Sequence, residues 1–60
     1  MEWKPIAGAP FDCDLTLAVI NDDGTHALVF PCRRVAHGWV HARTRMPVGD
    51  LEPTHWRQWD

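Results

Sequence analysis

Residues 14–32 read Asp14-Leu15-Thr16-Leu17-Ala18-Val19-Ile20-Asn21-Asp22-Asp23-Gly24-Thr25-His26-Ala27-Leu28-Val29-Phe30-Pro31-Cys32, and this stretch decides the fold. Leu15, Leu17 and Val19 point one way along an extended chain, and Thr16, Ala18 and Ile20 the other. Both sets are mostly apolar, so the pattern predicts a strand covered on both sides. Asn21-Asp22-Asp23-Gly24 is a turn, because Asn and Asp bond their own backbone and Gly accepts left-handed torsions. Thr25 to Cys32 then forms the return strand of a hairpin. Two registers stay open. A three-residue loop, Asp22-Asp23-Gly24, sets Asp14 opposite Cys32, and a four-residue loop sets Cys13 there. A slip of one residue decides whether the two cysteines share a face.

Working outward, Pro31 lacks an amide proton and marks an edge position or a bulge. Arg33 to Ala36 continue the strand, His37-Gly38 turns, and Trp39 to Arg43 form a third antiparallel strand. Residues 44–53 hold Pro47, Gly49 and Pro53 and read as loop. Thr54 to Trp59 reads as a short fourth strand at the sheet edge, or as one helical turn, since Trp56 and Trp59 are three apart. Pro5, Gly8 and Pro10 make residues 1–13 an extended arm that turns near Ala7-Gly8. The expected fold is mostly β, a small antiparallel meander of three to four strands with extended terminal arms, in a single domain spanning 1–60.

A chain of 60 residues buries only about 60% of the surface its unfolded form exposes, and needs help from metal, disulfide, oligomerisation or dense aromatic packing. Four Trp and two Phe supply the last of these. Leu15 to Ile20 is the longest apolar run and is too short to cross a bilayer, so no membrane association is expected. No basic segment followed by an apolar stretch opens the chain, and a cytoplasmic location with reduced Cys13 and Cys32 follows as the expectation. The formal charge is −2, with no acid between Gly24 and Gly49. Arg33, Arg34, Arg43 and Arg45 all fall in that interval. Ion pairing across neighbouring strands is the simplest use of such a block.

No reactive constellation is complete. Cys13, Cys32, His26, His37, His41 and His55 are metal-ligand types, yet there is no Cys-x-x-Cys. His37 and His41 on a strand would stand about 13 Å apart. The chain has no Ser, and Cys13 lies between Asp12 and Asp14, which disfavour a thiolate. Cys32 beside Arg33 and Arg34 would be activated only if exposed. The four glycines are too far apart for a phosphate loop. No enzymatic activity and no cofactor are expected.

Two cassettes bracket the chain. Trp3-Lys4-Pro5-Ile6-Ala7-Gly8-Ala9-Pro10-Phe11-Asp12 resembles the Trp-x-Pro-Ile-x-x-Ala-Pro-x-Asp opening of a family of small bacterial and phage proteins of unknown function. Members of that family commonly close with Pro-Thr-His-Trp, as Pro53-Thr54-His55-Trp56 does here. The chain departs from it at Asp12-Cys13, where several members have Asp-Gly. It departs again at Trp56-Arg57-Gln58-Trp59, where members often continue Trp-Met-Pro-Leu-Pro. The resemblance implies a compact β-rich fold and no particular activity. Physically, Trp beside Pro is a rigid apolar slab, and Trp3 and Trp56 are expected to clamp the termini together.

The functional expectation is a non-catalytic protein–protein interaction module, self-associating or with another protein, that uses an uncovered apolar face. A homodimer would complete the core. One alternative is a nucleic-acid-binding module using Arg33, Arg34, His41, Arg43 and Arg45 with Trp39 as a stacking platform. Another is a metal-binding module built on Cys and His.

Overall fold

β2, Leu15–Asn21, is the strand around which the sheet is built. The structure is a computed structural model and describes residues 2–49 and 51–60, so Asp50 lies outside it. Leu15 and Leu17 are fully buried, and Thr16 and Ala18 nearly so, which is the two-sided burial that the alternation predicts. A β-turn with Asp22-Asp23 at its centre follows, closed by the pair Asn21 and Gly24. Asn21 Oδ1 accepts the Asp23 N–H at 2.9 Å, and Gly24 takes φ +124°, which side chains disfavour.

The return strand is not continuous. β3 covers only Gly24–Ala27, and β4 begins at Cys32 and runs to Val35. Between them Leu28 to Pro31 face just two residues of β2, Thr16 and Leu17. Leu28 still donates its N–H to Leu17 O at 2.9 Å, and then the chain leaves the ladder. Pro31 has no proton to give a ladder, so the extra residues collect before it as a bulge. The four-residue-loop register holds from Ile20↔Thr25 to Ala18↔Ala27, and the bulge then shifts the pairing beyond it. Cys32 pairs with Leu15, not with Asp14 or Cys13.

β4 and β5, Gly38–His41, form the expected second hairpin about Ala36-His37. The C-terminal segment is a strand, β6, His55–Gln58, and not a helical turn. It does not lie at the edge either. It pairs with β2 from Leu15↔Gln58 to Ala18↔His55, and on its other side with β1, Lys4–Pro5. The sheet therefore has six strands where three or four were expected, in the order β1-β6-β2-β4-β5 with β3 beside the far end of β2. After β1 a single 3₁₀ turn, Ile6–Gly8, redirects the arm near the expected point.

The core is Ala9, Leu15, Leu17, Cys32 and Trp56, with Ile6, Leu28, Phe30, Trp39, Val48 and Leu51 packed against it. The N-terminal arm covers this face through Ile6 and Ala9, and the long loop through Val48 and Leu51. Phe11, expected to help, is 53% exposed. On the opposite face small side chains at Thr16 and Ala18 lie under Arg57 and His55, their cross-strand neighbours.

Candidate interaction surface

The two cassettes meet, though not Trp on Trp. Lys4 pairs with Trp56 and Pro5 with His55. Trp56 Nε1 donates to Pro5 O at 3.1 Å, and Lys4 Nζ stands 5.0 Å above the Trp56 ring. Trp3 packs instead under the Arg57 guanidinium at 4.4 Å. Thr54 joins the pieces. Its Oγ1 accepts the Ile20 N–H at 2.8 Å, its N–H donates to Ala18 O at 2.9 Å, and its carbonyl accepts the Ile6 N–H at 3.0 Å. Ile6 itself packs on the core. Pro10 and Pro53 are half-buried where the arm and the loop approach the sheet. Thr54, His55 and Trp56 are thus tied directly to β2, and Trp3 and Pro5 to β6.

The basic block is dispersed. Arg33 and Arg34 are consecutive on β4 and so point to opposite faces. Arg33 Nε donates to Asp14 Oδ1 at 2.8 Å, and that hydrogen bond and charge push its pKa upward. Arg34 Nη1 donates to Ala9 O at 2.6 Å and reaches Ala7 O at 3.4 Å, with its Cζ 4.6 Å over the Phe11 ring. Arg34 therefore fastens the arm. Trp39 stands opposite Arg34 and packs against the core rather than forming an open platform. His41 stacks on Phe30 at 4.6 Å, and its Nδ1 accepts the Arg43 N–H at 3.1 Å. Arg43 and Arg45 lie exposed in the turn that follows, Arg45 at φ +64°.

Among the described residues no three His, Cys, Asp or Glu side chains converge on a point where a metal could sit. Cys32 is buried, and burial pushes its thiol up to about 11 from 9.0, the opposite of activation by the adjoining arginines. Cys13 is exposed. Iodoacetamide is expected to label Cys13 in the folded chain and Cys32 only after unfolding; equal labelling rates would contradict the burial. The raised thiol also sets a pH dependence. Between pH 9 and 11 the folded chain keeps a proton that the unfolded chain has released, so stability is full below this window and falls as pH rises through it. Urea midpoints measured across that window should decline in the wild type and decline less in Cys32→Val. Identical declines would remove Cys32 as the cause.

The sheet has three outer edges, and they differ. The edge of β5 is covered: Val48 donates to Trp39 O at 3.2 Å, His41 donates to Met46 O at 2.8 Å, and Val40 bridges Pro47. The edge of β1 is two residues long and carries Lys4 and Pro5, both of which discourage strand pairing. The edge of β3 has no partner among the described residues. Its four residues, Gly24-Thr25-His26-Ala27, are all exposed and include no Lys, Arg, Asp, Glu or Pro. Val29, just past it, is 88% exposed. Sequence periodicity drew attention to faces, whereas what stays open is this edge. The only sequence signal for it is the run of small uncharged residues after the turn. Concavities are slight: one of about 230 Å³ includes Thr16, Ala27, Arg57 and Trp59, and one of about 280 Å³ includes Glu2, Lys4 and Arg57.

Compared with known proteins, the chain matches no family model, no curated protein and no solved structure. Among the described residues no helix is long and apolar enough to cross a membrane.

Proposed function

We propose that the protein is a non-catalytic interaction module that accepts an extended segment on the open edge of β3. The observation that carries this is the contrast between edges: β5 is roofed, β1 is short and guarded, and β3 offers unpaired backbone groups with no charge or proline to repel a strand. Strand addition draws its affinity from main-chain hydrogen bonds, so a small domain without a deep pocket can use it. The two unpaired thiols fit a reducing compartment such as the cytoplasm. A nucleic-acid face on the arginine block has weaker support, because Arg33 and Arg34 are already engaged within the chain. A metal module has weaker support still, because Cys32 is buried, its cross-strand neighbour His41 accepts the Arg43 N–H at Nδ1, and no third ligand joins them among the described residues.

The test is selection of random extended peptides on the full chain, followed by measurement of their affinity for Ala27→Pro. Proline at an outward-facing edge position removes one donor and leaves the β2 ladder intact. Selected peptides are expected to lose at least about tenfold in affinity, equivalent to about 1.4 kcal/mol. Peptides that bind Ala27→Pro as tightly as wild type, or a selection that yields none, would overturn strand addition.

A further inference from the structure

The hydrogen bonds of β2 fix which backbone groups of β3 face outward. Ile20 gives its N–H to Thr54 Oγ1, and Ala18 O accepts from Thr54 N–H, both on the β6 side of the strand. In an antiparallel ladder, directly opposed residues either exchange bonds or both turn away. Thr25 lies opposite Ile20 and Ala27 opposite Ala18, so Thr25 and Ala27 turn their N–H and C=O groups to the open edge. Leu17 O, which takes the Leu28 N–H, belongs to the complementary set that faces β3.

We infer that the occupant of this edge is β3 of a second copy, added antiparallel about a two-fold axis through His26, and that protonation of His26 separates the pair; the inference rests on the strand-addition reading above. The spacing of outward groups is self-complementary. Thr25 exchanges two bonds with the partner's Ala27, and symmetry repeats them, while His26 faces the partner's His26 in the closer, non-bonded position. Leu28 comes opposite the partner's Gly24, where a Cβ would meet nothing within 4 Å, so there is room for it. Asp23 comes opposite the partner's exposed Val29 and not opposite another acid. β3 itself carries no formal charge with His26 neutral, so no like charges face each other along the paired strands.

Among the described residues His26 forms no ion pair, and the acids nearest to it along the chain, Asp22 and Asp23, lie in the turn. Directly opposite His26 on β2 is Val19, with Leu17 and Asn21 diagonal to it. On its own strand Gly24 and Leu28 share its side, and across the axis lie the partner's His26, the partner's Gly24 and the partner's Leu28. Protonation therefore sets two imidazolium rings against each other at the axis, where like charges are unfavourable.

Sedimentation equilibrium on the full chain, near pH 7.5 and near pH 5.5, tests this. A dimer is expected at the higher pH, at least about tenfold weaker at the lower. His26→Gln should dimerise equally at both, His26→Lys should be monomeric at both, and Ala27→Pro should be monomeric with an unchanged near-ultraviolet dichroism spectrum. A wild-type chain that stays monomeric at millimolar concentration overturns the second copy as occupant, and the peptide selection then judges strand addition separately. A dimer that survives Ala27→Pro overturns the β3 interface. A pH response that persists in His26→Gln overturns the role of His26.

Discussion

Trp56→Ala is expected to leave the chain unfolded at room temperature. Trp56 sits on β6 with Leu17 opposite on one side and Lys4 on the other, and it is only 7% exposed. It is the largest member of a buried cluster that otherwise holds Ala9, Leu15, Leu17 and Cys32. Removing a buried aromatic side chain costs about 3–5 kcal/mol. A single core in a chain this short rarely supplies more than about 3–5 kcal/mol in total. The loss is therefore comparable to the whole stability. The indole also donates to Pro5 O at 3.1 Å and carries Lys4 above its face, so the substitution frees β1 as well. Trp56→Phe keeps most of the apolar surface and should fold with a lower melting temperature, since it leaves Pro5 O without its donor. Trp3→Ala should cost far less, because Trp3 is only half-buried and rests on the Arg57 side chain. Amide proton dispersion and near-ultraviolet dichroism separate the three. A cooperatively folded Trp56→Ala would mean that the cluster does not depend on this ring.

That difference between Trp3 and Trp56 marks the limit of what the residues reveal by themselves. Local signals were readable. β2 shows in the alternation of Leu15 to Ile20, the turn in Asn21-Asp22-Asp23-Gly24, and the second hairpin in His37-Gly38, although its turn is centred one residue earlier, on Ala36-His37. Each depends on residues close in sequence. The place of β6 depends instead on residues far away. His55-Trp56-Arg57-Gln58 has one apolar member and no strong period, and it is drawn to the centre by Thr54, whose bonds reach Ala18 and Ile20. The bulge at Leu28 to Pro31 was half visible. Pro31 announced a break, but the two extra residues appear only when β4 has to reach Leu15. The same reasoning explains why apolar faces looked open from the sequence. Covering the core face falls to Ala9 and Val48, small or isolated residues in segments without periodicity, while the other face carries small Thr16 and Ala18 beside Arg57 and His55. The unpaired hydrogen-bonding capacity of the sheet then concentrates at β3.

Arg34→Met is expected to destabilise the fold by about 2 kcal/mol, and here the sequence and the structure assign one residue two different jobs. As part of a basic block, Arg34 would be a ligand contact whose loss leaves stability unchanged. In the structure it reaches back to the arm, donates to Ala9 O at 2.6 Å and lies over Phe11. Ala9 is 4% exposed and belongs to the core cluster, so the arm it anchors is part of the lid over Leu15 and Leu17. A hydrogen bond from a charged donor contributes about 1.5–3 kcal/mol, and the cation–π contact adds about 0.5–1 kcal/mol at a partly exposed site. Met retains the length and packs on Phe11, which offsets part of the loss. Arg43→Met and Arg45→Met serve as the comparison, because both side chains are exposed and such surface changes stay within about 0.5 kcal/mol. Urea unfolding of the three variants decides between the two jobs. A curve for Arg34→Met that overlays the wild type would mean that the arm holds without it, and the guanidinium would be free for a partner. A shifted curve, with those of Arg43→Met and Arg45→Met unmoved, would mean that one of the four arginines of the basic block is spent on closing the fold. Recognition would then have to use backbone rather than charge, which is what the open edge of β3 offers.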